Sequence, residues 1–452
     1  MREILGRLAA HGGLGAIVLA LWAHEGSAGE KTDLRRPVTF NRDVAPIVFK
    51  QCAACHRPGE VAPFALLTYQ DVRKRARQIE EVTSTRYMPP WKPTTGHGEF
   101  LGERRLDDAE IATIAAWVAD GLAEGDAADL PETPTFAAGW QLGQPDVVIS
   151  MDESFEVPAD GPDRYRNFVL PIEFPRGKYL KAAEFRPGNP VVVHHAVLTY
   201  DADGKARQLD AKEEGLGFER VGIVGKLFPG ASGIWTPGRE ATVMPEGFSM
   251  PWPDGADLVL QLHLHPSGKV EHERSTVGLY LTDEPPARTT ADLLLIDKNI
   301  DIPPGERAFR THDEMVLPID MELFGVFPHM HLIGREVRVT AEPPDGERKT
   351  LFAIDDWSFK WQNFYQYLRP VRLPAGTRIE MHCVHDNSAD NAANPNQPPE
   401  RVTWGEETRD EMSIVILQLV PIAPVTLSSL EEQLKNRIVG GVTASRPVEG
   451  AN

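Results

Sequence analysis

The run Cys52-Ala53-Ala54-Cys55-His56 constrains this chain more than any other feature. Two thiols at Cys-x-x-Cys spacing can each bond one vinyl group of a haem, and the next residue, His56, is then placed to ligate the iron. A redox or zinc Cys-x-x-Cys is the competing reading. The adjoining histidine argues against it, as does the amino terminus, which reads as an export signal. Arg2 and Arg7 make a positive start, Gly13 to Ala23 is a short apolar stretch, and Gly26-Ser27-Ala28 offers small residues for cleavage. Residues 1–28 are therefore expected to be a signal peptide, and the chain to be periplasmic or secreted. The apolar stretch is short of the roughly 20 residues that span a bilayer, and no later segment is long enough either.

A haem that transfers electrons needs a second axial ligand. Met88, in Tyr87-Met88-Pro89-Pro90-Trp91, is expected on a rigid extended loop that presents a thioether with little freedom. Thioether ligation raises the iron potential, which suits a carrier; His97 is the rival. The flanking sequence reads as helical. Asn41 is placed to cap a helix running toward Cys52, and Thr68 opens a second through Asp71 to Glu81. Asp107 and Glu110 form a capping box ahead of Ile111, Ile114, Ala115 and Val118, and Gly121 ends that run. Residues 38–126 resemble the small class I cytochrome c domains, which implies an all-α unit holding one covalent haem c.

The rest of the chain reads differently. A length of 452 residues exceeds one core, so two or three domains are expected. With 38 Gly and 38 Pro, much of it should be short strands joined by turns. A net charge of −19 with no basic stripe argues against nucleic acid as a partner. Only three cysteines are present, so packing and bound metals must hold the fold, and lone Cys383 reads as a small buried residue. Residues 127–144 are an acidic linker. From 145 to 424 alternation takes over: Leu258, Leu260, Leu262 and Leu264 point one way, and Val259, Gln261, His263 and His265 the other. The run Asp283-Glu284-Pro285-Pro286 is expected to divide sandwiches at 145–284 and 285–424, with a tail at 425–452.

Six histidines of this β region fall in three close pairs. His263 and His265 alternate, as do His329 and His331, and alternation puts two imidazoles on one face roughly 7 Å apart. His194 and His195 are adjacent, so they can share a metal only if the strand ends or bulges there. Imidazole sites, with or without a thioether, favour copper or zinc. The region 145–424 resembles the copper type II, ascorbate-dependent monooxygenases, which include the peptidylglycine- and dopamine-hydroxylating enzymes. The likeness is carried by His194-His195 in an apolar strand, by Leu260-Gln261-Leu262-His263, by His329-Met330-His331 with Gly334, and by Gly405 to Met412.

That resemblance implies tandem eight-stranded jelly-roll sandwiches with one copper each. His194, His195 and His263 would hold the electron-transfer copper, and His329, His331 and Met412 the copper that meets dioxygen and substrate, with Gln261 in the cleft. It implies hydroxylation of a C–H bond in a small molecule, with electrons from a small reductant or redox protein and the haem domain as supply or relay. A copper-binding electron-transfer protein without oxygen chemistry is the alternative. The chain departs from its relatives in places. Ser413 stands where they often carry Cys, leaving Cys383 without a partner. Phe327, Ile414 and Ile416 lie where the peptide-amidating enzymes place polar groups, so an apolar or aromatic substrate fits better. His265 reads as a polar residue at a strand end, and His382 and His385 as open between supporting and unrelated roles.

Overall fold

The eight residues Asp257–Leu264 are buried without exception, as a strand with apolar residues on both faces must be when it runs through the middle of a sandwich. It pairs antiparallel with Arg164–Leu170 on one side and Val193–Asp201 on the other. Its leucine row packs into a core with Phe168, Leu180, Phe185 and Leu198, while Val259 on the opposite face joins Ala206, Phe218 and Val224. A second sheet closes this sandwich in the order Val147–Ser150, Thr276–Thr282, Tyr179–Arg186, Met250–Pro251.

After Thr282 the strands begin again. Ala291–Ile296, Ile414–Pro421, Met321–His329 and Tyr365–Leu373 form one four-stranded sheet. Phe309–Val316, Arg378–His385, Gly334–Glu342 and Lys349–Ile354 form another. Among the described residues no ladder between named strands crosses 283–290. The two cores meet where Phe324 stacks on Phe248 at 5.2 Å between ring centroids.

The computed structural model describes residues 36–423 except 61, 137, 138, 221, 229–232, 238, 240 and 406; the expected signal peptide and the tail 425–452 lie outside them. No helix among the described residues is long and apolar enough to cross a membrane.

Helix is confined mostly to the amino-terminal part. A π-helical turn Phe40–Val44 leads into Ala45–Gln51, followed by Tyr69–Ser84 and Asp108–Ala119. Thr68 accepts from the Asp71 N–H and Asp107 and Glu110 cap reciprocally, as their spacing predicts. Asn41 does otherwise. Thr39 stands at the cap position, and the buried Asn41 side chain donates to the Asp126 carbonyl at 2.9 Å, tying the first turn to the segment that follows the third helix. Phe40, Val48, Val72, Ile114 and Trp117 centre a core of this part's own.

The helical part is not set off as a unit of its own: the chain from Val38 onward forms one compact unit. The cause is the segment after Met88. Thr94 N–H donates to the Ala353 carbonyl at 2.7 Å, and Leu101 and Leu368 N–H groups reach Gln366 and Glu99 carbonyls at 2.8 Å. These bonds fix Thr94 to Lys349–Ile354 and lay 99–101 along Tyr365–Leu373, and they sink Phe100, with Trp91 beside it, into the core of the second sandwich. Burying each aromatic side chain contributes about 1.5–3 kcal/mol, enough to keep the loop attached.

Candidate metal centres

The adjacent pair His194-His195 converges because the strand bulges. His263 faces His195, but the next residue, Leu264, faces Val193, so His194 is left outside the ladder. A bulged residue turns its side chain toward its neighbour's face. The three Nδ1 atoms then approach one another: 3.3 Å from His194 to His195, 3.1 Å from His194 to His263 and 3.3 Å from His263 to His195. Three ring nitrogens facing inward cannot all be satisfied by one another, since each bears either one proton or one lone pair. A cation can take all three lone pairs. The centre of such a triangle is about 1.9 Å from each nitrogen, against roughly 2.0–2.1 Å for a zinc–imidazole bond. The donor set therefore fits a copper-class ion.

Asp163, which no local motif marks, sets the tautomer. Its carboxylate accepts from His263 Nε2 at 2.7 Å and from His265 Nδ1 at 2.6 Å. Burial works against the Asp163 charge, but the two imidazole hydrogen bonds win and bring its pKa down to about 2. His263 thus carries its proton on Nε2 and turns the Nδ1 lone pair into the triangle. Tyr165 stacks on its ring at 4.3 Å. Burial, then the neighbouring His263, lowers His194 to about 4, and the same causes hold His195 well below the ordinary value. His265 remains outside the triangle, its side chain largely exposed.

The second cluster forms where Met321–His329 ends. His329 and His331 stand with ring centroids 5.1 Å apart. Each spends Nδ1 on a support: His329 donates to Gln362 Oε1 at 2.6 Å, and His331 to the Asp410 carbonyl at 3.0 Å. That leaves Nε2 on both as the metal-facing atom. Glu411, fully buried, accepts from the backbone N–H groups of His331, Ile333 and Met412 at 2.5, 3.2 and 2.8 Å. Burial would raise its pKa, but His385, His331 and the His331 backbone N–H lower it on balance. Met412, also buried, is so tied to the same knot as His331. Gly334 is required by close approach: a Cβ there would lie 2.9 Å from Met330 Cβ and from Trp357 Cδ1. His329 and His331 thus offer two imidazoles with Nε2 free, and the Met412 backbone is held by the same Glu411 that holds His331; two imidazoles and a thioether are donor types that suit copper.

The Phe359 ring joins the clusters, 6.3 Å from His263 and 5.8 Å from His331 between centroids. After burial, His263 and His194, His329 adds a smaller push that lowers the pKa of His195. Beside His329, Phe327 lies opposite Ile416, and His329 itself opposite Ile414, which makes this wall apolar. Gln261 is spent elsewhere: its buried amide donates to Asn167 Oδ1 and to the Arg220 and Gly222 carbonyls at 3.0, 3.2 and 2.7 Å. It holds Arg220 and Gly222 and contacts neither histidine cluster in any of these bonds.

Cys52, Cys55, His56 and Met88 line one cavity of about 400 Å³, whose walls include Phe64, Leu66, Ile79 and Val82. His97 is not among its lining residues. His56 Nδ1 donates to the Phe64 carbonyl at 3.2 Å, leaving Nε2 for a ligand, and burial lowers its pKa so that the lone pair is present at neutral pH. Two thiols, a buried imidazole and a thioether around an apolar cavity fit a haem. The far wall comes from the first sandwich: Val191, Val192, Val193, His194 and His265. His194 thus borders both this cavity and the imidazole triangle.

On Arg378–His385 the side chains alternate. His385 and Cys383 are fully buried; His385 Nε2 meets Ser413 Oγ at 2.9 Å, and its Nδ1 lies 3.7 Å from Glu411. His385 therefore supports the second cluster, whereas half-exposed His382 faces the other way.

Comparison with known proteins follows this division. Residues 290–424 match the family "Copper type II ascorbate-dependent monooxygenase, C-terminal domain". Over 165 residues the chain is 31% identical to "DBH-like monooxygenase protein 1" of Mus musculus and 30% identical to that of Homo sapiens. The match takes in 32% of this chain and 25% of each relative, so the chain spans about a quarter of their length. Among solved structures, the major capsid protein P2 from bacteriophage PM2 superposes with a TM-score of 0.26 at 10% identity, covering 62% of this chain and 98% of that one, too loose a fit to carry any argument. The sandwich that presents His329, His331 and Met412 is thus similar in sequence to the carboxy-terminal domain of the copper type II ascorbate-dependent monooxygenases.

Proposed function

We propose that this chain is an exported copper-dependent monooxygenase that hydroxylates a C–H bond of a small apolar or aromatic molecule and draws its electrons through its own c-type haem. His194, His195 and His263 would hold one copper, His329, His331 and Met412 the other, and Cys52, Cys55, His56 and Met88 the haem. When bound, copper supplies one-electron redox steps and a site for dioxygen, and the haem a store for single electrons.

The chain's residues do the rest. Asp163, Gln362 and the Asp410 carbonyl hold the tautomers of His263, His329 and His331, so that lone pairs face inward before any ion arrives. Phe327, Ile414 and Ile416 line the approach to His329 with hydrocarbon, which favours an apolar substrate and gives a carboxylate no partner. His194 shortens the way from the haem cavity to the triangle to a single imidazole, and His265, Asp163 and His263 add a hydrogen-bonded route from the same cavity.

The observation that carries the proposal is the pair of imidazole clusters on either side of Phe359, one of them bordering the cavity of the Cys-x-x-Cys-His motif. Anaerobic stopped-flow tests the relay. In full-length protein whose haem has been reduced first, loading copper(II) is expected to re-oxidise the haem; a haem that stays reduced defeats it. Oxygen uptake driven by ascorbate tests the enzyme. Met412→Ala is expected to retain the first copper and lose uptake, whereas unchanged uptake would assign the oxygen chemistry elsewhere.

A further inference from the structure

The sheet that buries Cys383 and His385 on one face carries a different set of ligands on the other. His312 and His382 lie directly opposite each other on Phe309–Val316 and Arg378–His385. Their ring centroids are 4.7 Å apart. Glu380, two residues before His382 and therefore on the same face, brings Oε2 to 3.5 Å from His382 Nε2. One donor atom from each of His312, Glu380 and His382 lies within 4.8 Å of the other two. Glu314, opposite Glu380, reaches to 3.9 Å from His312 Nε2.

This is an odd way to arrange four polar residues if only sheet stability were served. Like faces like, His against His and Glu against Glu, where cross-strand stabilisation comes from pairing opposites. Two arginines compensate the carboxylates. Arg348 and Arg378 reach Glu380 at 2.9 and 3.4 Å. Both also hold Glu342, at 3.0 and 2.9 Å. They therefore keep a partner when Glu380 turns toward another cation. The imidazoles have only these same carboxylates beside them, Glu380 for His382 and Glu314 for His312.

We propose that His312, Glu380 and His382 form a surface site for a divalent first-row transition-metal ion, with Glu314 within reach as a fourth donor and water completing the shell. Two imidazoles and a carboxylate suit zinc or copper(II), and copper(II) is held more tightly by the order of divalent stabilities. Phe309–Val316 is the edge strand of its sheet, so an ion bridging His312 to His382 clips that edge to its neighbour. No residue of the two clusters described above takes part, so the site stands or falls independently of the enzymatic proposal.

Zinc(II) titration of the full chain, already loaded at its other metal sites, tests it. Wild type is expected to take up one equivalent more than the His312→Ala/His382→Ala variant, and Glu380→Gln to weaken that equivalent at least tenfold. Equal uptake by wild type and the double variant overturns the site. A second measurement needs no substitution. Carbethoxylation of histidines, mapped by peptide mass spectrometry, is expected to fall at His312 and His382 when zinc(II) is added and to stay constant at His97 and His272. No protection at the pair, or equal protection at all four, overturns the proposal.

Discussion

At the scale of residues, the first cluster depends on a side chain that is not a ligand. Asp163 gives one oxygen to His263 and the other to His265, so Asp163→Asn removes the charge that fixes the His263 tautomer. Copper affinity at this cluster is expected to fall about 10–100-fold, measured by competition with a chromophoric chelator, while the second cluster keeps its affinity. The imidazoles also set an acid limit for the metal-free chain. His194 and His329 are held to about 4, whereas an unfolded imidazole titrates near 6.5. Below about pH 6.5 the unfolded chain gains protons that the folded chain refuses, so stability falls as pH drops from there toward 4. Urea unfolding of the metal-free chain across that window is expected to show a midpoint that declines with pH; a flat midpoint would mean that these imidazoles protonate freely in the fold. The candidate ligands were legible because paired histidines on strands are rare without a reason. Asp163 was not, since its importance comes from strand register: Leu264 lies opposite Arg164, which sets residue 163 beside His265. Gln261 shows the converse, a residue singled out by resemblance whose amide is consumed by Asn167 and two loop carbonyls.

At the scale of elements, alternation and capping reported truly on Asp257–Leu264, Tyr69–Ser84 and Asp108–Ala119, whose own residues decide their conformation. The bulge at His194 could be stated only as a condition, because a bulge is a property of two strands. The position of 94–101 was illegible for a like reason: its hydrogen bonds go to residues more than 250 positions away. Phe100 fills the second core with Phe352, Tyr365 and Tyr367 around it. Phe100→Ala is expected to destabilise by about 3–5 kcal/mol, read by chemical denaturation, and to loosen the neighbouring Met88 loop. The missing disulfide makes another prediction. Cys383 and Ser413 are in hydrogen-bonding contact, with Thr311 beside both. Ser413→Cys is therefore expected to oxidise to a bond with Cys383 and to stabilise by about 3 kcal/mol through closure of the intervening loop. Thiol counting and the unfolding midpoint check it; two free thiols after oxidation would show that the contact lacks the geometry for a bond.

At the scale of the molecule, three candidate centres lie along one route. The cavity behind Cys52, Cys55 and His56 borders His194, His194 belongs to the imidazole triangle, and Phe359 leads from His263 to His331. The helical part does not hang from the sandwiches by a linker: its cavity is walled by the first, and its Met88 loop is bonded to the second. The change from helical to strand periodicity was readable in the sequence; the burial of Phe100 in the core of the second sandwich was not, because composition carries no record of which surfaces meet. The central claim is that this single unit holds one haem and two coppers. Metal analysis of full-length chain matured in an exporting, haem-attaching host, washed with chelator to strip surface ions and paired with a haem stain under denaturing conditions, tests it most directly. One covalent haem and two coppers per chain is the predicted result; zinc in place of copper, or a chain that carries no covalent haem, would contradict it.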